Sequence, residues 1–272
     1  MRGAYAAAPL LLLALSIRSF AVDISSASIT EPHQLSQGTV EFSTALLHLT
    51  VYPEELTYDV SWGIIAVGRA TLNVREIARF NGAPAYHIVS EAKSNAFCDT
   101  FYKVRDINES WLDARDLTSL GYSKKLREGH FFRDEWVLYD KPAGKFLSKR
   151  TDRDGKFTWS AGTIPVVVQD ILSSVYYVRS RQLAPGDEVS IDVNTKRTWP
   201  LVVRVLRRET VKTGAGTFPC LVVEPALRDE GIFIQKGRKL QLWLTDDERK
   251  VPVLMRVEVF FGHVTARLSK ML

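Results

Sequence analysis

The stretch Leu56–Ile77, LTYDVSWGIIAVGRATLNVREI, holds two runs in which apolar and polar residues alternate one by one. Tyr58, Val60 and Trp62 share one side of the first run; Ala70, Leu72 and Val74 share one side of the second. A period of two is the β-strand repeat, because successive side chains leave the backbone on opposite faces. Gly63 and Gly68 flank the middle, where a bulge or a sharp coil fits.

The same grammar continues downstream. NGAP (81–84) is a turn, and AYHIVSEAKS (85–94) sets Tyr86, Ile88, Ser90 and Ala92 against His87, Val89, Glu91 and Lys93. Short alternating segments separated by turn residues recur to the end of the chain. They predict a mainly β protein, a long antiparallel meander. A dozen or more strands cannot stay flat, so the meander must coil into a half-barrel or open barrel.

One stretch breaks the pattern. QDILSSVYYVRSRQL (169–183) places Ile171, Leu172, Val175, Tyr176 and Val178 at steps of three and four, which is an amphipathic helix. Packed on the concave side, it covers the apolar face of the curled sheet. Asp170 is placed to cap its N-terminus, and Ser173 and Ser174 read as ordinary helix serines bonded to their own backbone. Two roles stay open for the far end. Arg179 pairs with an acid in a core plug, or Tyr176, Tyr177 and Arg179 border a ligand opening and hold an anionic head group over an apolar cavity.

Residues 1–21 read as a signal peptide: Arg2, an apolar run from Ala6 to Ile17, and small Ser19 and Ala21 before the cut. Residues 22–50 read as a flexible linker or arm and 51–272 as a single β-rich domain. Cleavage near Ala21 removes two arginines and no acid, so the formal charge falls from +5 to +3. The remaining cations are interleaved with acids, which argues against a nucleic-acid partner. The expected location is periplasmic or secreted, with a soluble mature chain, at most peripheral to a membrane. In an oxidising compartment Cys98 and Cys220 either pair in one long loop or stay apart as buried thiols.

Catalytic patterns are sparse. His33, His48, His87, His130 and His263 are isolated, so no metal ligand set is expected. No Gly-x-Ser-x-Gly elbow or nucleotide-binding glycine motif is present, and no cofactor or catalytic residue is assigned. Asp246 and Asp247 read as a charged hairpin turn. Glu91, Asp106, Glu109, Glu128 and Glu135 are candidates to line a concave face, two of them meeting as a glycosidase pair.

YDVSWGIIAVGRATLNV (58–74), FYKVRDINESWLD (101–113), QDILSSVYYVRSRQLAPGD (169–187), RETVKTGAGTFPCLVVEP (208–225) and the Trp-Leu-x-Asp-Asp stretch that begins LQLWLTDD (240–247) occur in a characteristic order. Across Leu56 to Leu268 the chain resembles the bacterial envelope family catalogued as domain of unknown function 3108. The resemblance implies an exported β-protein and supplies no catalytic residues. Its expected shape is similar to the half-barrel-with-helix of periplasmic lipoprotein and lipid carriers. Three readings follow: a non-enzymatic carrier of a lipid or lipoprotein ligand, an exported polysaccharide hydrolase or lyase using paired carboxylates, and an assembly factor that binds another envelope protein.

Overall fold

The computed structural model describes residues 36–39, 53–195, 197–227 and 239–272. They form β1 (Ser36–Thr39), β2 (Glu54–Trp62), β3 (Ile65–Phe80), β4 (Ala83–Ser94), β5 (Arg105–Asp113), β6 (Ser119–Glu128), β7 (Phe131–Asp140), β8 (Lys145–Thr151) and β9 (Phe157–Thr163). After these come β10 (Glu188–Asn194), β11 (Thr198–Thr213), β12 (Gly216–Leu227), β13 (Leu240–Thr245), β14 (Pro252–Glu258) and β15 (His263–Met271). The helices are a four-residue α1 (Ala96–Asp99) and the nine-residue α2 (Ile171–Arg179). The expected signal peptide lies outside the described residues.

All strands belong to one antiparallel sheet, ordered β10-β11-β12-β13-β14-β15-β2-β3-β4-β5-β6-β7-β8-β9. Sequence neighbours pair from β2 to β9 and from β10 to β15, and the β15–β2 pair joins the two runs, leaving β9 and β10 as the edges. Residues Tyr58, Val60, Ala70, Leu72 and Val74 are buried together in the main core, as their alternation requires. Asn81 and Gly82 both take positive φ, 46° and 82°, the two central positions of the tight reversal between β3 and β4. At the β2–β3 pair the register slips between Val60 and Ser61, so the expected bulge sits beside Gly68.

β1 and an apolar cluster on the outer face carry no local sequence pattern. The stretch read as linker contains β1, which pairs antiparallel with β3 at Ala78 and Phe80. β3 outruns β2, whose pairing stops at Val74, so this end of β3 leaves a backbone edge for β1 to take. Its sequence, SQGT, has no apolar alternation to announce it. The outer face also carries an apolar cluster of Phe80, Ala85, Trp111 and Leu120, where Trp111 stacks on Phe80 and on His87 at 5.0 Å. The strands there are buried on both faces.

The chain that leads into α2 ties the edge strand β10 to the interior strand β6. Gln169 donates its N–H to Asp192 O and accepts from Asn194 N, both at 2.8 Å, while Val168 O accepts from Ser119 N at 2.9 Å. β6 and β10 are thereby clamped to one segment. Inside the curl, the Tyr122 and Tyr139 hydroxyls donate across to Thr195 O (3.2 Å) and Asn194 O (3.0 Å).

The cysteine pair does not form here: Cys98 and Cys220 are both free and buried. Cys98 sits on α1, anchored by the Asn95 side chain, whereas Cys220 lies within β12 opposite Glu209 and Thr245. Burial pushes the Cys220 thiol up to about 11, which keeps it protonated.

Candidate functional site

α2 is shorter than its periodic sequence, ending at Arg179, and is fixed at both ends by buried polar groups. At its start the Asp170 carboxylate accepts from Leu172 N (2.8 Å), Ser173 N (3.0 Å), Ser110 Oγ (2.6 Å) and Ser119 Oγ (2.6 Å). Burial pushes this carboxyl upward and the serine hydrogen bonds pull it back. The cap thus doubles as a bolt from the helix to β5 and β6. Ser173 and Ser174 return their hydroxyls to backbone carbonyls of their own turn.

At the other end, Arg179 makes a two-pronged ion pair with Glu54 at 2.6 and 2.9 Å. Both side chains are almost wholly buried, at 2% and 0% exposed. Tyr176 donates to the same carboxylate at 3.2 Å, and Arg179 also donates to Arg249 O. Tyr176 and Arg179 are therefore placed in a closed network and not on a cavity wall. Tyr177 packs partly buried beneath Arg181, whose guanidinium lies 4.1 Å from its ring centre.

The hollow lies on the other flank of the helix. A cavity of about 150 Å³ separates Ile171, Leu172, Val175 and Val178 from the inner face of the sheet. The sheet side is contributed by β2–β4 and β11–β14, with Leu72, Val203, Val223, Leu242 and Met255 among the walls. Polar side chains are few: Tyr58, Thr71, Ser90 and Ser174. Tyr58 is itself satisfied, donating to Pro252 O at 2.7 Å.

The concave face changes character across β5 to β8. The register aligns Leu72, Ser90, Asn108, Lys124, Glu135, Arg150 and Thr158 in one cross-strand row. Lys124 and Arg150 reach Glu135 at 3.3 and 3.5 Å. The next row runs Ala70, Ala92, Asp106, Leu126 and Arg133. Of the five acids proposed for this face, Asp106, Glu128 and Glu135 are on it. Glu91 and Glu109 take the opposite face, bound to Arg75 and to His87 and Ser123.

Asp106 and Glu128 hydrogen-bond one another, closer than the roughly 5–9 Å by which glycosidase carboxyls flank a sugar. Burial, then the neighbouring Asp106 charge, pushes Glu128 from 4.5 to about 8. An acid whose folded-state value is raised adds stability that is whole below about 4.5 and lost as pH climbs through about 8. Chemical denaturation from pH 5 to 9 should show that decline, a few kcal/mol in size, and Glu128→Gln should flatten it. An equal slope in both proteins would assign the pH dependence elsewhere.

The tryptophans do not gather around the hollow. Trp111, Trp136 and Trp159 take the outer face, Trp243 is buried in the main core and Trp199 in a second one. Asp246 and Asp247 lie in the β13–β14 turn, where Asp247 accepts from the backbone of Arg249 and Lys250. Among the described residues no three His, Cys, Asp or Glu converge as metal ligands, and no helix is long and apolar enough to cross a membrane.

Exposed apolar side chains concentrate at one end of the sheet. Ile64, Phe97, Phe101, Phe260 and Phe261 are exposed on three loops tied together by Trp62 Nε1 to Phe261 O and Asn95 Nδ2 to Ala66 O, each 2.7 Å. This rim is opposite the Arg179 end of α2, since Glu54 starts β2 and Trp62 finishes it. The cavity walls Leu240 and Val257 lie on the rim side of β13 and β14.

The fold is similar to the crystal structure of a β-barrel-like protein of domain of unknown function DUF1849 from Brucella abortus. That similarity has a TM-score of 0.57 at 13% identity, over 82% of this chain and 98% of that one. A protein named "putative lipoprotein" from Parabacteroides distasonis aligns over 84% of this chain and 99% of its own, at TM-score 0.30 and 10% identity. A "putative exported protein with YmcC-like fold" from Bacteroides fragilis aligns over 81% and 95%, at TM-score 0.26 and 10% identity. No curated protein matches. The model for the family described as Protein of unknown function (DUF3108) matches residues 57–269.

Proposed function

We propose for this chain, which belongs to the DUF3108 family, the role of an exported, non-enzymatic carrier for the alkyl part of a lipid or lipoprotein. The observation that carries this reading is the apolar cavity between α2 and the sheet. Its walls are almost wholly apolar and only partly covered by α2, so water in contact with them is poorly satisfied. A hydrocarbon segment replaces that water and makes contacts on every wall. The hydrolase reading lacks this support, because the acids on the concave face touch each other or are locked to cations.

The apolar rim fits the same use. Large apolar side chains on loops toward the cavity suit a protein that draws its ligand from a lipid surface.

Two variants test the assignment. Leu242→Trp fills the cavity and should weaken binding of dodecanol at least tenfold while leaving the melting temperature unchanged or higher. Serine at Phe97, Phe101, Phe260 and Phe261 should slow uptake of the same probe from phosphatidylcholine vesicles without altering affinity for free dodecanol. Dodecanol binding untouched by Leu242→Trp would remove the cavity from the account.

A further inference from the structure

We propose that the charged row beside the cavity is the head-group site of the same ligand, which is therefore a single-chain amphiphile with an anionic carboxylate or phosphate head. This rests on the carrier reading.

The first support is adjacency. Leu72 and Ser90 line the cavity, and Asn108 and Lys124 follow them directly on the next two strands. At about 4.8 Å per strand, Lys124 stands roughly 10 Å from Ser90 along the sheet. A chain seated under α2 and extended along this row therefore brings its head to Lys124.

The second support is charge. Three cations, Lys124, Arg133 and Arg150, act on the single carboxylate of Glu135. Burial works against its ionisation, yet these cations hold it below its usual range, so Glu135 stays charged in a row lined by cations. The neighbouring Asp106–Glu128 pair retains a proton near neutral pH and so carries less than its full negative charge. Lys124 and Arg150 each keep 18% of their side chains exposed, so an anion can reach them.

The third support is an orphaned donor. Asn108 Nδ2 is buried with no acceptor among the described residues, in the row between Ser90 and Lys124. A buried amide donor without a partner is costly, and a ligand oxygen there satisfies it. Asn108, Lys124 and Arg150 together supply a neutral donor and two charged ones to an oxyanion.

Calorimetry with dodecanoate, dodecyl phosphate, dodecanol and inorganic phosphate tests the site. The wild type should bind both anionic amphiphiles about tenfold or more tightly than dodecanol. Lys124→Gln and Arg150→Gln should each remove most of that advantage and leave dodecanol affinity unchanged, which also reports that the variants are folded. In the wild type, added salt should weaken dodecanoate but not dodecanol. Equal affinity for dodecanoate and dodecanol, insensitive to salt, overturns the head-group site and leaves the carrier standing. Inorganic phosphate bound as tightly as dodecyl phosphate makes the row a free-anion site and overturns the shared ligand. If none of the three amphiphiles binds, the carrier reading itself fails.

Discussion

Replacing Arg179 with alanine is expected to cost about 3–5 kcal/mol of folding stability, because it strands a carboxylate in the interior. Glu54 is 0% exposed, and its oxygens accept from Arg179 at 2.6 and 2.9 Å and from Tyr176 at 3.2 Å. Without the guanidinium the carboxylate must take up a proton or drag water into the interior. The Arg249 carbonyl, which also accepts from Arg179, loses its donor too. Replacing both partners with apolar residues, Glu54→Leu with Arg179→Met, should recover most of the loss, since no buried charge is left over. Arg181→Ala is the comparison two residues on. Its cation lies over the Tyr177 ring near the surface, and its loss should change stability by no more than about 1 kcal/mol. Urea unfolding of the four proteins separates these outcomes, and a mild Arg179→Ala would show that the network is not what holds α2.

Gly68→Ala is expected to lower stability by about 3 kcal/mol or more, a fall of roughly 6–12 °C in melting temperature for a domain of this size. A Cβ at Gly68 would lie 2.1 Å from Lys93 O and 3.0 Å from Lys93 C and Ser94 Cα. All three are backbone atoms, so no side chain can rotate away; β3 and β4 must separate where the bulge crowds them. Gly82→Ala provides the contrast. Its Cβ would meet nothing within 4 Å, and the penalty is only the positive φ of 82°, about 1–2 kcal/mol. A Gly68→Ala melting curve that overlays that of Gly82→Ala would refute the crowding argument.

These two sites mark what the sequence could and could not reveal. The bulge glycine, the NGAP reversal and the Asp170 cap are local, with cause and effect a few residues apart, and each was readable from the chain. Glu54 and Arg179 are 125 positions apart, so composition and period hinted at an acid partner without naming it. The alternation in Leu56–Ile77 also announced the strands but not the pairing of β15 with β2, which brings the C-terminal strands round to share the cavity. The same holds for the candidate site. Tyr176, Tyr177 and Arg179 drew attention as polar groups on an amphipathic helix, whereas the cavity wall is made by the unremarkable Ile171, Val175 and Val178. Asp106, Glu128 and Glu135 were visible as acids, but their cations become neighbours only through cross-strand register. β1 and the outer cluster around Trp111 were hidden for another reason. β1 pairs through its backbone and needs no side-chain pattern, and the cluster buries a face that alternation assigned to water.

Native mass spectrometry of the protein recovered from its own cell envelope, without detergent, tests the carrier claim most directly. The account predicts a fraction of molecules heavier by one single-chain amphiphile, released when the protein is denatured in organic solvent and absent from Leu242→Trp. Bare protein alone, which also fails to take up added dodecanol, would contradict it.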